Sequence, residues 1–132
     1  MKRIVRFGCV GIAGAIVHMG SFKLIQANLG SSNSIAWLLA FLTAATFTWF
    51  LNRIVTFADL KSPDVQTEWL KYLGVAGCGA LAHFIVFEAA IRSMFVFTQS
   101  PAFAIIPGSL ASFAVTYTGA TLLVFRRARN NP

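Results

Sequence analysis

The chain has 132 residues, 57% of them apolar and only 11% charged, with a formal net charge of +7 and a mean hydropathy of +0.70. Soluble domains carry about 25% charged residues, and so short a chain cannot enclose this much apolar surface in its own interior. An ordinary soluble domain, a disordered chain and a large catalytic domain are excluded, and lipid is the solvent that the composition requires.

In chain order, Lys2, Arg3 and Arg6 precede an uncharged run over residues 7–22. A basic start before an apolar run also fits a signal peptide, but the run is too long and no small-x-small site opens onto a polar chain. Further uncharged runs cover residues 24–52, 72–87 and 93–125. A spanning helix needs about 20 mostly apolar residues, which predicts four spans near residues 4–26, 35–51, 72–91 and 102–125. Asn28, Gly30, Ser31, Ser32 and Asn33 mark a turn after the first span, and Thr98, Gln99, Ser100 and Pro101 one after the third. Between the second and third spans, Ser62-Pro63-Asp64 reads as a helix start with a capping hydroxyl and proline at the first position. Val65, Trp69 and Tyr72 then recur at helical spacing, predicting a short interfacial helix that turns into the third span. In the fourth span Pro107-Gly108 predicts a kink, and Ser109, Ser112, Thr116 and Gly119 a small, partly polar stripe facing a neighbour.

Because lipid offers backbone groups no partner, the spans must be helices. The expectation is an all-α membrane protein forming one integral membrane domain over residues 1–132. Hairpin one covers about 4–57, an interfacial loop about 58–70 and hairpin two about 71–125. Nine of the 11 cations (Lys2, Arg3, Arg6, Arg53, Lys61, Lys71, Arg126, Arg127, Arg129) fall on one side and only Lys23 and Arg92 on the other. That bias puts both termini and the central loop in the cytoplasm. Cations placed this way read as topology and as contacts to anionic lipids, so no nucleic-acid partner is expected.

The two hairpins repeat. At an offset of 65, Arg6 meets Lys71, Phe7 meets Tyr72, Gly14-Ala15 meets Gly79-Ala80 and His18 meets His83; at an offset of 68, Thr48, Trp49 and Phe57 meet Thr116, Tyr117 and Phe125. Both copies point the same way, a parallel repeat about an axis along the membrane normal, with room for a path between the hairpins. Gly11-xxx-Ala15 and Ala76-xxx-Ala80 are small-xxx-small pairs suited to close helix packing. Cys9 and Cys78 lie in apolar stretches without a metal-spaced partner and read as buried, reduced, structural thiols.

Ionisable groups at membrane depth are costly and point to function. His18 and His83 lie past the expected midplane, and Lys23 and Glu88 near the outer interface, at equivalent positions of the two repeats and with opposite charge. They are candidates for a translocation path. Against this, Lys23 can snorkel to headgroups, Glu88 can pair with Arg92 one turn on, and the histidines can simply be neutral and hydrogen-bonded inside the bundle. They lack a third ligand, so no metal is expected. At the inner face Asn52-Arg53 ends the second span while Arg6 and Lys71 open the first and third. Arginine binds phosphate bidentately and lysine adds a point charge, so Arg53, Asn52, Arg6 and Lys71 form a candidate phosphate-headgroup site. The alternative is the positive-inside signature alone. The second hairpin lacks the pair, having Ala120-Thr121. No nucleophile–base pair, carboxylate pair or cofactor motif is present, so no catalytic residues are expected.

Arg6-Phe7-x-x-Val10-Gly11, the span ending Phe50-Leu51-Asn52-Arg53-x-x-Thr56-Phe57 and the return Lys71-Tyr72-Leu73-x-Val75 together resemble the GtrA-like family across nearly the whole chain. The resemblance implies a bacterial cytoplasmic (inner) membrane protein that moves a polyprenyl-phosphate-linked monosaccharide, such as an undecaprenyl-phosphate sugar, between leaflets for cell-surface polysaccharide modification. It also implies a membrane glycosyltransferase as partner. Four short helices make a slim path, so a homodimer or larger assembly is expected. Two other readings remain: an accessory or anchoring subunit of the glycosyltransferase, and a small multidrug-type proton-coupled exporter, for which Glu88 is the available intramembrane acid.

Overall fold

The computed structural model describes residues 2–29, 33–93 and 105–125. The turn residues Gly30 to Ser32 and Thr98 to Pro101, and the cations Arg126, Arg127 and Arg129, lie outside the described residues. The chain is all-α: helix α1 is Lys2–Leu29, α2 is Asn33–Leu51, α3 is Val65–Ser93 and α4 is Ile105–Gly119. A π-helical turn, Asn52–Thr56, closes α2, and a second, Ala120–Val124, closes α4. Four segments (Lys2–Asn28, Ser34–Thr56, Val65–Ser93 and Ile105–Val124) are long and apolar enough to cross a membrane.

Apolar exposure is what places these helices in lipid. Ile12, Ile16 and Leu24 on α1 are about two-thirds exposed, and Leu81, Phe84, Ile85 and Leu110 on the later helices face outward as well. The buried positions are mostly small. Ala36, Ala40 and Ala44 recur every four residues along α2, the close-approach stripe expected where dispersion rather than water drives helix packing. Cys9 and Cys78 are free but exposed, which corrects the expected burial: in lipid an apolar thiol needs no protein around it.

α1 packs chiefly on α2 and α3 on α4, giving two hairpins, and the repeat extends to individual contacts. A Cβ on Gly14 would collide with Thr48 Cγ2, and one on Gly79 with Thr116 Cγ2. Thr48 donates to the carbonyls of Ala44 and Ala45, and Thr116 to those of Ser112 and Phe113. Close approach requires glycine at both positions; at Gly11, Gly74 and Gly77 a Cβ would meet nothing within 4 Å. Of the predicted stripe on α4, Ser112 and Thr116 face Gly79 and Gly119 faces Val75, while Ser109 is exposed. Pro107 falls in the first turn of the described α4.

The hairpins meet at the end that carries most of the cations. Here each π turn returns an amide to the start of its turn, Phe57 N to Asn52 O and Phe125 N to Ala120 O, both at 2.8 Å. The wider turn lets two successive residues face inward: Thr56 and Phe57 in the first copy, Val124 and Phe125 in the second, all buried. Phe57 and Phe125 stack on each other at 4.5 Å between ring centroids. Phe7 meets Phe57 edge-on at 6.1 Å and 67°, and its repeat equivalent Tyr72 meets Phe125 at 6.4 Å and 64°. With Val75, Ala120 and Val124 these rings form the core.

α3 runs unbroken from Val65, so the predicted interfacial helix is its first turns rather than a separate element. Its cap is Asp64 and not Ser62. Thr67 N donates to Asp64 Oδ1 and Glu68 N to Asp64 O, while Ser62 Oγ accepts from Asp64 N. The Asp64 side chain reaches an otherwise unpartnered first-turn amide three residues on, the geometry of an N-cap. The Thr67 hydroxyl and then its amide hold the Asp64 carboxyl below the ordinary value of 3.8.

Candidate functional site

Between the hairpins lies a cavity of about 840 Å³, within the range of small-molecule sites, roughly 300–1,000 Å³. Its floor, next to the ring core, is Phe7, Asn52 and Tyr72; its far part includes His18, Trp37, His83 and Phe87. Gly11, Ala15, Ala76 and Ala80 line it, so the small-xxx-small pairs widen the cavity instead of closing a helix interface. Among the described residues no Lys, Arg, Asp or Glu contributes to the lining.

The polar atoms here are few and incompletely partnered. Asn52 is 1% exposed. Its Nδ2 donates to Tyr72 Oη at 2.9 Å, and its Oδ1 is buried without a partner. His18 stands edge-on to Trp37, and its Nε2 is likewise buried and unpartnered. His83 stacks on Phe87, and its Nδ1 lies where a Cβ on Gly108 would stand, at 2.9 Å. The two histidines thus share one cavity. Among the described residues no group of three His, Cys, Asp or Glu side chains converges as metal ligands.

Arg53, adjacent to Asn52, turns away from the cavity. Its Nη1 lies 2.6 Å from Glu68 Oε1 in an ion pair not aligned as a hydrogen bond, and its Nη2 donates to Ser62 O at 2.9 Å. The guanidinium lies 5.9 Å from the centre of the Trp49 ring. Glu68, fully buried, also accepts from Trp49 Nε1 at 3.1 Å and from Ser62 N at 2.6 Å. A buried carboxylate needs such compensation. The cluster ties the end of α2, the central loop and the start of α3 together, and Trp69 Nε1 adds a bond from α3 to Thr46 on α2.

The four residues expected to grip one phosphate are therefore divided. Asn52 belongs to the cavity floor and Arg53 to the Glu68 cluster. Arg6 is exposed and donates to Val55 O at 3.2 Å, at the π turn, and Lys71 is exposed. Arg3 pairs with Asp59 at the same end. On the outer side, Glu88 pairs with Arg92 at 3.3 Å, both substantially exposed, and Lys23 is exposed. Neither Lys23 nor Glu88 lines the cavity, so the acid that an exporter would need stands outside it. Sequence reasoning missed Glu68 and Tyr72 as polar partners. The signal for Glu68 was present: with four acids against 11 cations, an arginine at the edge of hydrocarbon calls for a carboxylate, and Glu68 sits beside an interfacial tryptophan.

Comparison with known proteins fits this architecture. A stretch of 87 residues, 66% of the chain, is 35% identical to a dolichol-phosphate mannosyltransferase of Pyrococcus furiosus, of which it spans 24%. The chain thus covers about a quarter of the length of that relative. The profile of the GtrA/DPMS transmembrane domain matches residues 6–125, both hairpins and the loop between them. The chain belongs to the GtrA/DPMS transmembrane domain family.

Proposed function

We propose that the protein translocates a polyprenyl-phosphate-linked monosaccharide across the bacterial cytoplasmic membrane for cell-surface polysaccharide modification. The cation-rich end and both termini face the cytoplasm. The observation that carries this reading is the cavity between the hairpins, at membrane depth, with buried polar atoms of Asn52 and His18 that lack partners. A sugar phosphate cannot cross hydrocarbon unaided, because its charge and hydroxyls would go unsatisfied. A groove between two hairpins lets the headgroup pass while the prenyl tail stays in lipid. Arg6 and Lys71, exposed at the basic end, attract the phosphate and anionic lipids; Arg53 joins them only by exchanging Glu68 for the ligand. His18 and His83 receive the headgroup farther out, and Lys23 and Glu88 stand at the exit. Glycosyl transfer belongs to a separate membrane glycosyltransferase, and this chain, as a homo-oligomer, performs no chemistry itself.

The test is reconstitution of the purified protein with a labelled polyprenyl-phosphate sugar, measuring its appearance in the opposite leaflet. Transfer no faster than in protein-free vesicles refutes translocation. A second reading, an accessory or anchoring subunit, is favoured by one finding: a stretch like this one makes up a quarter of a protein named for mannosyl transfer. Under that reading a chimera exchanging the loop surface around residues 58–71 loses glycosyltransferase recruitment, whereas a translocase keeps its lipid activity.

A further inference from the structure

We infer that Asn52 and Tyr72 form an uncharged subsite, at the floor of the cavity, for the hydroxyls of the sugar ring of a lipid-linked substrate. This inference rests on the proposed handling of a lipid-linked sugar and adds to it which part of the headgroup is read, by which residues, and with what charge.

Three observations lead there. First, Asn52 is buried to 1% exposure, lines the cavity, and carries an Oδ1 with no partner. A buried acceptor left unpaired is costly, and a hydroxyl donor satisfies it. A phosphate offers only acceptors at neutral pH, and an acceptor facing an acceptor gains nothing. Second, among the described residues no Lys or Arg lines the cavity. The neighbouring arginine, Arg53, is turned away and neutralised by Glu68, while Arg6 and Lys71 are exposed. A phosphate seated at Asn52 would be a buried charge with no Lys or Arg of the described residues lining the cavity to balance it. Third, beside Asn52 and Tyr72 the floor is lined by the apolar ring of Phe7. An aromatic ring suits a C–H face of a pyranose, with the few polar groups setting its orientation as in other ligand pockets. The ligand class is therefore a neutral hexose carried on a lipid phosphate. A uronic acid in the same place would bring a second charge with nothing to meet it.

The full-length protein in lipid nanodiscs is titrated with polyprenyl-phosphate glucose, polyprenyl-phosphate glucuronic acid and sugar-free polyprenyl phosphate, with an alkyl glucoside as competitor. The variants are Tyr72→Phe, which keeps the ring on Phe125, and Asn52→Ala, which places in the first hairpin the residue the second already has at Ala120. Wild type is expected to bind the glucosyl lipid about tenfold more tightly than either other lipid, with the alkyl glucoside competing. Both variants lose most of that preference and leave the affinity for sugar-free lipid unchanged. Equal affinity of wild type for the three lipids, failure of the alkyl glucoside to compete, or parallel weakening of glucosyl and sugar-free lipid in the variants overturns the subsite. A leaflet-transfer assay separates the two claims. Transfer by wild type that neither substitution affects removes the subsite and leaves translocation standing. Sugar-dependent binding without transfer does the reverse.

Discussion

Replacing Glu68 should test whether the central cluster holds the second and third helices together. The carboxylate is fully buried and has three partners: the Arg53 guanidinium, the Trp49 indole and the Ser62 amide. Removing one member of a buried ion pair strands the other charge and typically costs about 3–5 kcal/mol. Arg53 keeps 15% of its side-chain exposure, so water relieves part of that, and Glu68→Ala is expected near the lower end, about 3 kcal/mol. Glu68→Gln keeps one acceptor oxygen, for either Trp49 or Ser62 but not both, since they bond different carboxylate oxygens, and should cost less, about 2 kcal/mol. The double variant Arg53→Met/Glu68→Met removes both charges and fills similar volume, so it should be more stable than either single alanine variant. Reversible unfolding in mixed micelles, followed by tryptophan emission, gives the double-mutant cycle over Arg53 and Glu68, with an expected coupling of about 2 kcal/mol. Additive effects, each under about 0.5 kcal/mol, would show that the pair is solvated and contributes as little as a surface pair.

Gly14→Ala and Gly79→Ala should each destabilise the chain by about 1–3 kcal/mol through overpacking against Thr48 and Thr116, while Gly11→Ala and Gly77→Ala, with open space at the new Cβ, should be neutral; the same unfolding measurement compares them. Phe57→Ala or Phe125→Ala removes one ring of the stack joining the hairpins and should cost about 3–5 kcal/mol, read as loss of a monodisperse peak on size exclusion. Asp64 has a carboxyl held below 3.8 in the folded chain, so its capping contribution is complete above that ordinary value and fades as pH falls through the folded value. Unfolding measured from pH 5 downward should therefore show an acid loss in wild type that Asp64→Asn lacks.

Much of the fold was legible because it follows from solvation. Long uncharged runs must be helices in lipid, and the matches of His18 with His83 and Thr48 with Thr116 marked two copies of one hairpin. The site was legible only in part. Asn52-Arg53 drew attention as a unit, yet adjacent helical residues point about 100° apart, and the structure sends one to the cavity and the other to Glu68. Glu68 escaped notice because the helix start was placed at Ser62, which left Glu68 in an interfacial segment instead of against Arg53. The buried thiols and the small-xxx-small pairs failed for a common reason. Apolar or small residues in a membrane chain do not reveal whether they face protein, lipid or empty space.

The exchange of Asn52 for Ala120 across the repeat has a consequence beyond the missing amide. A cleft straddling a two-fold pseudo-axis presents the same wall twice, and a guest finds two degenerate poses related by half a turn. With the Asn52 carboxamide on one wall and no counterpart from Ala120 in the lining, that degeneracy is lifted. A guest then meets two unlike walls on a duplicated scaffold.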